Sequence, residues 1–334
     1  MSTPQTVFFH IGIGKTGSSY IQSSLAAAAD DLKSQDLFYP IRKADAKAGA
    51  RGYVSSGNFN AGAGPDRILQ EFPEVVEFPK VLFSNETIHL PFSDPRNALK
   101  NKIRSAFPDA RLEFLCFIRD PVEHAISAYQ QAVKRGGYTG TCGDFLRHYD
   151  RPLGFVNVAQ SIKDIGGTLT IRNYSRHKKD LLPLVESWLG LSRGTLPKPP
   201  IERVNRSLTL SELELQRAFN RVLGSGAFHL VSDPLCNFLP DLKSEIPTVS
   251  RGEMEHFLAR MKKVIADPRL VALIPPEEYY QLDDLSAYEE RYVAEPEAEQ
   301  ELRFDADQIA VLSQAISKAL TTGKMDRFFR KATE

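Results

Sequence analysis

The chain alternates short apolar runs with longer segments whose apolar residues recur at helical spacing. The apolar runs cover residues 7–11, 80–84, 112–118 and 168–171. Their length and near-continuous hydrophobicity predict β-strands that are buried on both faces. Strands of this kind alternate with helices in α/β proteins. We therefore predict an α/β fold with three αβα layers, in which helices cover both sides of a central parallel sheet.

Helical periodicity follows most of these strands and dominates the last third of the chain. The predicted helices cover residues 18–32, 97–107, 121–133, 179–189, 209–223, 251–265 and 305–332. Residues 42–66 are rich in Gly, Ala, Ser and Asn, which predicts a long loop of the kind that forms lids or contacts substrates. Between 225 and 304 the periodicity is weak, apart from the 251–265 segment.

A proline-rich stretch at 196–200 interrupts the alternation of strands and helices. Proline removes a backbone donor and ends regular elements, so the stretch indicates a change in organisation. We expect residues 1–200 to form the ligand-binding core. Residues 201–334 are expected to form a helical C-terminal extension that completes the same domain and contributes the second substrate's site.

Charge and cysteine content restrict the classes of partner. Lys plus Arg and Asp plus Glu both number 42, so the formal net charge is zero and provides no general attraction to nucleic acid or anionic membranes. The three cysteines, Cys116, Cys142 and Cys236, are too few and too scattered for a disulfide framework or a zinc site. No apolar run approaches the ~18 residues of a transmembrane helix. We expect a cytoplasmic protein with no metal, nucleic-acid partner or transmembrane segment.

The first strand runs directly into a loop rich in glycine and hydroxyl groups, Gly14-Lys15-Thr16-Gly17-Ser18-Ser19. Glycines let backbone N–H groups approach an anion, and the following helix N-terminus presents further N–H groups. Lys15 adds a positive charge. A Walker A loop would require glycine at position 9, where the chain has Phe9. The loop is a candidate phosphate or sulfate site, and a structural turn with a solvated lysine is the alternative.

A second candidate anion site follows the third apolar run. Arg119 comes directly after that strand, at the carboxyl end where ligands bind in open α/β sheets. Pro121 suits the first turn of the next helix, and Ser127 faces away from the apolar stripe of that helix. An arginine and a serine placed in this way can clamp a phosphate. Alternatively, Arg119 caps its own loop and Ser127 is an incidental surface residue.

Together the two segments resemble PAPS-dependent sulfotransferases, in particular bacterial enzymes of the carbohydrate type, which have a P-loop-like fold. Residues 15–20 are similar to that family's 5′-phosphosulfate loop, and residues 117–129 to its 3′-phosphate segment. The resemblance implies 3′-phosphoadenosine-5′-phosphosulfate (PAPS) as co-substrate. It implies a 5′-phosphosulfate loop made of Lys15, Thr16, Gly17, Ser18 and Ser19, with Gly14 standing where proline is usual. It likewise implies that Arg119 and Ser127 hold the 3′-phosphate.

Transfer to a hydroxyl also requires a general base. In the family the base is a histidine or glutamate, commonly at the end of the strand before the 3′-phosphate segment, and here that strand leads to Glu86 and His89. Glu86 is the first candidate and His89 the second; a helix N-terminal carboxylate and a structural histidine are the alternatives. Lys15 is expected to stabilise the charge on the leaving oxygen. Ser84 is a candidate sulfate contact, and His10 a packed histidine.

The resulting hypothesis is a sulfotransferase that moves a sulfuryl group from PAPS to a hydroxyl of a carbohydrate, glycolipid or similar acceptor. The alternatives are a P-loop nucleotide kinase, which the failed Walker A spacing disfavours, and a non-catalytic nucleotide-binding protein. In the family a late loop folds over the nucleotide, and the basic stretch 203–207 with Arg206 is the candidate here, although a solvated linker explains it equally well. Residues 42–66 and 225–304 are expected to shape the acceptor pocket.

Overall fold

The structure, a computed structural model, describes residues 5–50, 57–199, 206–294 and 301–322. The chain falls into two compact units. The first takes its described residues from Met1–Pro121, Asp150–Val204 and Lys263–Gln281, and the second from Val122–Tyr149, Asn205–Lys262 and Leu282–Glu334. The two units are thus interleaved along the chain, whereas the sequence predicts a division at residue 200.

The first unit contains a five-stranded sheet in which every pairing is parallel. The strands are β1 (Thr6–Gly12), β2 (Leu37–Phe38), β3 (Lys80–Ser84), β4 (Arg111–Ile118) and β5 (Thr168–Asn173), in the spatial order β2-β3-β1-β4-β5. The four strands predicted from the apolar runs are therefore confirmed. The two-residue β2 was not predicted, because it is too short to produce an apolar run.

Helices flank the strands in the first unit and make up most of the second. In chain order the α-helices are α1 (Ser18–Ala27), α2 (Ala29–Ser34), α3 (Lys43–Ala50), α4 (Pro65–Glu71), α5 (His89–Ser93), α6 (Leu99–Ala106), α7 (Pro121–Gly136), α8 (Cys142–His148), α9 (Arg151–Asp164), α10 (Tyr174–His177), α11 (Leu181–Leu189), α12 (Leu210–Leu223), α13 (Ser232–Phe238), α14 (Arg251–Ile265), α15 (Pro268–Leu273), α16 (Glu289–Tyr292) and α17 (Ala306–Thr321). None of them, within the described residues, has the length and apolar character of a membrane span.

The sequence expectation for residues 42–66 needs correction. Residues 42–66 are not one long loop, because α3 and the start of α4 lie within them; residues 51–56 are outside the described residues. Alanine-rich stretches favour helix even when they carry little apolar periodicity. The predicted 305–332 helix is α17 as far as Thr321, and residues 323–334 also lie outside the described part.

Side chains of the sheet alternate between two apolar clusters, one on each face. Phe9 in β1 belongs to the first cluster and stacks on Phe114 of β4, with ring centroids 4.9 Å apart. Phe8 points to the other face, where it packs in the cluster that contains Leu25 of α1 and Leu182 of α11. Because both faces are covered, the predicted αβα layering of a parallel sheet is confirmed. The carboxyl ends of the strands therefore remain as the edge at which polar side chains can collect.

Candidate functional site

The loop after β1 adopts an unusual backbone conformation. Gly14, Lys15 and Gly17 have φ angles of 76°, 55° and 82°, and Gly17 is the N-cap of α1. Left-handed residues next to helical ones turn successive N–H groups to one side, which produces a concave anion-binding nest. Lys15 adopts this conformation without being glycine, and such strain is concentrated at functional sites. The predicted Gly-rich loop at a helix N-terminus is thus present.

Two hydroxyl groups of this loop are buried beside Gly12. Thr16 Oγ1 and Ser18 Oγ have no hydrogen-bond partner among the described residues. A Cβ on Gly12 would lie 2.5 Å from Ser18 Oγ and 3.0 Å from Thr16 Oγ1, so only glycine leaves room for both. A buried hydroxyl without a partner costs about 1–3 kcal/mol. These two hydroxyls are thus available as donors, and their contact with an anion remains a prediction.

Arg119 joins the second motif to the loop. Its Nη1 donates a 2.9 Å hydrogen bond to the carbonyl oxygen of Lys15. Its guanidinium also lies 5.2 Å from the ring centroid of Tyr174, a cation–π contact. Tyr174 also lies close to Gly17: a Cβ added to Gly17 would be 2.9 Å from Tyr174 Cε2. Tyr174 was not among the residues predicted for this site; its position directly after β5 was the available signal.

A segment near residue 280 returns to the same edge of the sheet. Asp120 Oδ1 accepts hydrogen bonds from Asn173 Nδ2, at 2.8 Å, and from the backbone N–H of Gln281, at 3.0 Å. The buried carboxylate of Glu278 accepts from the backbone N–H of Asn173 at 2.6 Å and from His177 Nε2 at 3.0 Å. These contacts hold the 276–281 segment beside the residues that follow β4 and β5. The weak periodicity of residues 225–304 concealed this return from sequence analysis.

Arg206, a predicted nucleotide contact, is instead built into the second unit. Its five N–H groups donate to Glu212 twice and to the backbone carbonyls of Ser207, Leu235 and Leu239. The side chain is only 2% exposed. No N–H of this guanidinium is left for a phosphate, so the geometry assigns Arg206 a structural role. The neighbouring residues 203–205 lie outside the described part of the chain.

Ser127 and Ser19, both predicted donors to the nucleotide, lie on helices. Ser127 is half-buried on α7, which belongs to the second unit from Val122 onward. Its contact with a 3′-phosphate therefore remains a prediction. Ser19 is half-buried in the first turn of α1, next to Ser18.

Glu86, the first candidate base, lies directly after β3 and close to the phosphate loop. A Cβ added to Gly12 would lie 3.6 Å from Glu86 Cβ. Because Ser18 Oγ and Thr16 Oγ1 also lie close to that position, all three residues surround Gly12. Burial raises the pKa of the Glu86 carboxyl above its ordinary value of 4.5, and the positive charge of Lys15 offsets part of that rise. A carboxylate with a raised pKa is a stronger base than an exposed one.

His89, the second candidate base, is held by partners on both ring nitrogens. Its Nδ1 contacts the carbonyl oxygen of Glu86, which can only accept, so Nδ1 carries the proton. Nε2 then accepts a 3.3 Å hydrogen bond from Arg151 Nη1. Burial is the main cause that lowers the pKa of His89 to about 4; the charge of Arg151 acts in the same direction, and the backbone carbonyls of Glu86 and Gly12 oppose it. This occupied and weakly basic ring favours Glu86 as the base.

Ser84, the last residue of β3, and His10 of β1 form a side-chain hydrogen bond. His10 Nδ1 lies 2.9 Å from Ser84 Oγ, and both residues are fully buried. Burial also lowers the pKa of His10 to about 4. His10 is thus a packed histidine, as predicted. A contact between Ser84 and sulfate stays a prediction.

Comparison with known proteins gives no match to any family model and no match among curated proteins. Solved structures do match. A sulfotransferase from Alicyclobacillus acidocaldarius is 18% identical, with a TM-score of 0.42 and coverage of 86% of this chain and 99% of that one. The sulfotransferase domain from the curacin biosynthetic pathway is 13% identical, with a TM-score of 0.34 and coverage of 61% and 80%. Retinol dehydratase, solved with androsterone and the inactive cofactor PAP, is 12% identical, with a TM-score of 0.37 and coverage of 83% and 84%. These similarities are loose, and the residues of the site carry the functional argument.

Proposed function

We propose that the protein is a PAPS-dependent sulfotransferase that transfers a sulfuryl group to a hydroxyl. The observation that carries this proposal is the meeting of three groups at Gly12: the buried, unpartnered hydroxyls of Thr16 and Ser18, and the candidate base Glu86. An anion-binding loop next to a carboxylate of raised pKa is what sulfuryl transfer to an alcohol requires.

The donor's 5′-phosphosulfate would bind the loop from Gly14 to Ser19. The nest of backbone N–H groups, the hydroxyls and Lys15 together supply charge and hydrogen-bond donors for it. Arg119 and Ser127 are the proposed ligands of the 3′-phosphate, and the contact between Arg119 and Lys15 would couple the two ends of the nucleotide. Arg206 is left out of this site, because its guanidinium is fully engaged with Glu212 and backbone carbonyls.

The proposed reaction exchanges one bond to sulfur for another. Glu86 accepts the proton of the acceptor hydroxyl as that oxygen bonds to sulfur. The bond between sulfur and the bridging oxygen of the donor breaks, and its electron pair remains on the phosphate of the product PAP. Lys15 stabilises the negative charge that develops on the bridging oxygen. The proposed acceptor is a carbohydrate or glycolipid hydroxyl.

The test combines PAP binding with transfer of radiolabelled sulfate from PAPS to a panel of glycosides. We expect calorimetric PAP binding that Lys15→Ala weakens about 10- to 100-fold, since a charged contact to phosphate contributes about 1.5–3 kcal/mol. Lys163→Ala, which changes an exposed lysine of α9, is the matched control. Magnesium-dependent ATP binding without PAP binding would indicate a nucleotide kinase instead. Tight PAP binding without any transfer would indicate a non-catalytic nucleotide-binding protein.

A further inference from the structure

A cavity of about 530 Å³ opens beside the candidate base, within the first unit. Its walls come from residues 40–42, α3, the segment 57–64, and α4 with the adjoining Phe72. Asn85 and Thr87, the two neighbours of Glu86, also line it. A second cavity, of about 400 Å³, shares four lining residues with it, namely Ala61, Gly62, Gly64 and Thr87. The first volume lies within the ~300–1,000 Å³ typical of small-molecule sites.

The floor of this cavity, residues 57–59, is attached to the strand that carries the base. Asn58 donates through its backbone N–H to Ser84 O at 3.0 Å, and its Oδ1 accepts from the Ser84 N–H at 2.7 Å. Its Nδ2 donates to Leu82 O at 2.9 Å. The side chain of Asn58 thus continues the hydrogen bonding of β3 where the two-residue β2 has ended.

Two further contacts fix the floor against the end of β3. Asn85 Nδ2 donates to the carbonyl oxygen of Phe59, and Asn85 Oδ1 accepts from the Thr87 N–H at 2.6 Å. Gly57 lies so close to β3 that a Cβ there would be 1.7 Å from Ser84 O. A ligand on this floor is therefore held in a constant position relative to Glu86, which follows Asn85 directly.

The charged groups that line the cavity balance each other. Arg42 and Arg67 supply two positive charges, and Asp45 and Glu71 supply two negative charges. Arg42 binds Glu71 with two N–H groups, one of them a 2.8 Å bond from Nη2 to Oε2. A charged ligand would gain no net attraction from this lining, and it would disturb the ion pair. A neutral ligand with many hydroxyls can use the same planar polar groups as donors and acceptors.

We propose that this cavity binds the acceptor and selects an uncharged, polyhydroxylated one, such as a neutral glycoside. The inference rests on the proposed sulfotransferase function. The half-buried apolar side chains of Ile41 and Phe72 also line the cavity and provide surface for the C–H face of a sugar ring. Glu86 itself does not line the cavity, but its neighbours Asn85 and Thr87 do. The proposal therefore places the hydroxyl to be sulfated at this edge of the cavity, where residues 58 and 59 are bonded to Ser84 and Asn85.

The steric test is to fill the cavity from α3. Ala48→Trp puts an indole into the lining, whereas Ala44→Trp changes an exposed position of the same helix that does not line it. We expect Ala48→Trp to raise the KM for p-nitrophenyl β-glucoside at least about tenfold, the equivalent of 1.4 kcal/mol. Its Kd for PAP should stay unchanged, and Ala44→Trp should change neither value. If Ala48→Trp no longer binds PAP, Arg67→Ala takes its place, with Asp66→Ala as its control. The KM for the glucoside and the Kd for PAP are then measured for these two variants.

The selectivity test compares p-nitrophenyl glycosides that differ only in charge. We expect the neutral β-glucoside to be sulfated with a lower KM than the β-glucuronide and the β-glucosaminide. The inference is overturned if a charged glycoside is preferred, if the protein transfers sulfate from PAPS to other hydroxyls but to no neutral glycoside, or if filling the cavity leaves the acceptor KM unchanged. Absence of PAP binding by the unmodified protein, or PAP binding without transfer to any acceptor, would overturn the proposed function itself, so the two failures are distinguishable.

Discussion

Arg119 donates a 2.9 Å hydrogen bond from Nη1 to the carbonyl oxygen of Lys15, across 104 positions of sequence. The bond joins the carboxyl end of β4 to a loop residue whose φ of 55° is unfavourable for a lysine. A charge-assisted bond of this kind helps to hold the loop in its strained form before any ligand arrives. Arg119 therefore has a positioning role for the loop in addition to its proposed contact with the 3′-phosphate.

Removal of Arg119 should consequently weaken donor binding in two ways. We predict that Arg119→Ala raises the Kd for PAP about 10- to 100-fold, because a hydrogen bond to a charged group contributes about 1.5–3 kcal/mol. Arg119→Lys should recover only part of this loss, since an ammonium cannot bind Lys15 and a phosphate in the same fork geometry. Calorimetry measures both values. Arg269→Ala, in an arginine paired with Asp267 near the surface, is the control and should leave the Kd unchanged.

The strands and the loop were predictable because their signals are local. Apart from Glu113, the run at 112–118 is apolar on both faces, as is typical of a central parallel strand, and it forms most of β4. The loop from Gly14 to Ser19 was recognisable by its glycines and hydroxyl groups between a predicted strand and a predicted helix. In the structure it joins β1 to the start of α1. The family resemblance suggested Glu86 as the base from its position just past a strand; the structure places it two residues after β3, and its role stays a prediction.

Long-range contacts could not be predicted in the same way. Nothing local marks Glu278 as a partner of Asn173, because the two residues are 105 positions apart and the surrounding periodicity is weak. For Arg206 a local signal was present, but it pointed to the wrong partner. A basic stretch after a proline-rich break looks like an anion contact, whereas Glu212, six residues later, forms a buried ion pair with it. A charged pattern alone does not distinguish a ligand contact from an internal ion pair.

Gly12 is predicted to be essential for donor binding through its lack of a side chain. The Cβ of Gly12→Ala would lie 2.5 Å from Ser18 Oγ, so that hydroxyl would have to rotate away from the loop. Overpacking of this kind typically costs about 1–3 kcal/mol, and we expect a 10-fold or greater rise in the Kd for PAP. Gly154→Ala in α9, where an added Cβ meets no atom within 4 Å, should leave the Kd unchanged and stabilise the helix by about 0.5–1 kcal/mol. Equal effects of the two substitutions on PAP binding would contradict this role of Gly12.

Glu86→Gln should reduce transfer without reducing donor affinity. Loss of a general base lowers kcat by about 10²–10⁴-fold. In the unmodified protein the rate should fall at acid pH, with a midpoint above 4.5, because burial raises the pKa of Glu86 and only the deprotonated form accepts a proton. Glu86→Gln should lack this acid limb. An unchanged kcat, or an acid limb that persists in the variant, would assign the base to another residue.

The same substitution should stabilise the fold at neutral pH. Because the folded pKa of Glu86 is above the unfolded value of 4.5, folding disfavours the ionised form, and this cost appears as the pH rises through the folded pKa. Below pH 4.5 the carboxyl is protonated in both states and the cost is absent. Glu86→Gln should therefore have a higher Tm than the unmodified protein at pH 8 and a similar Tm at pH 4. Thermal unfolding at the two pH values measures the difference in Tm. A variant that is less stable than the unmodified protein at pH 8 would contradict a cost of ionising Glu86 in the folded state.

His89 should act on stability and positioning rather than as the base. Burial lowers its folded pKa to about 4 from an ordinary value of 6.5, so its stabilising effect is complete above pH 6.5 and is lost as the pH falls towards 4. At 1.36 kcal/mol per pKa unit, the loss approaches about 3 kcal/mol. The free energy of unfolding, measured in urea, should decrease less between pH 7 and pH 4.5 for His89→Gln than for the unmodified protein. The control His229→Gln, which changes an exposed histidine of the second unit, should behave like the unmodified protein.

The kcat of His89→Gln should stay well above that of Glu86→Gln, because His89 Nε2 already accepts a hydrogen bond from Arg151. Abolished transfer in His89→Gln, with PAP binding intact, would instead make His89 the base.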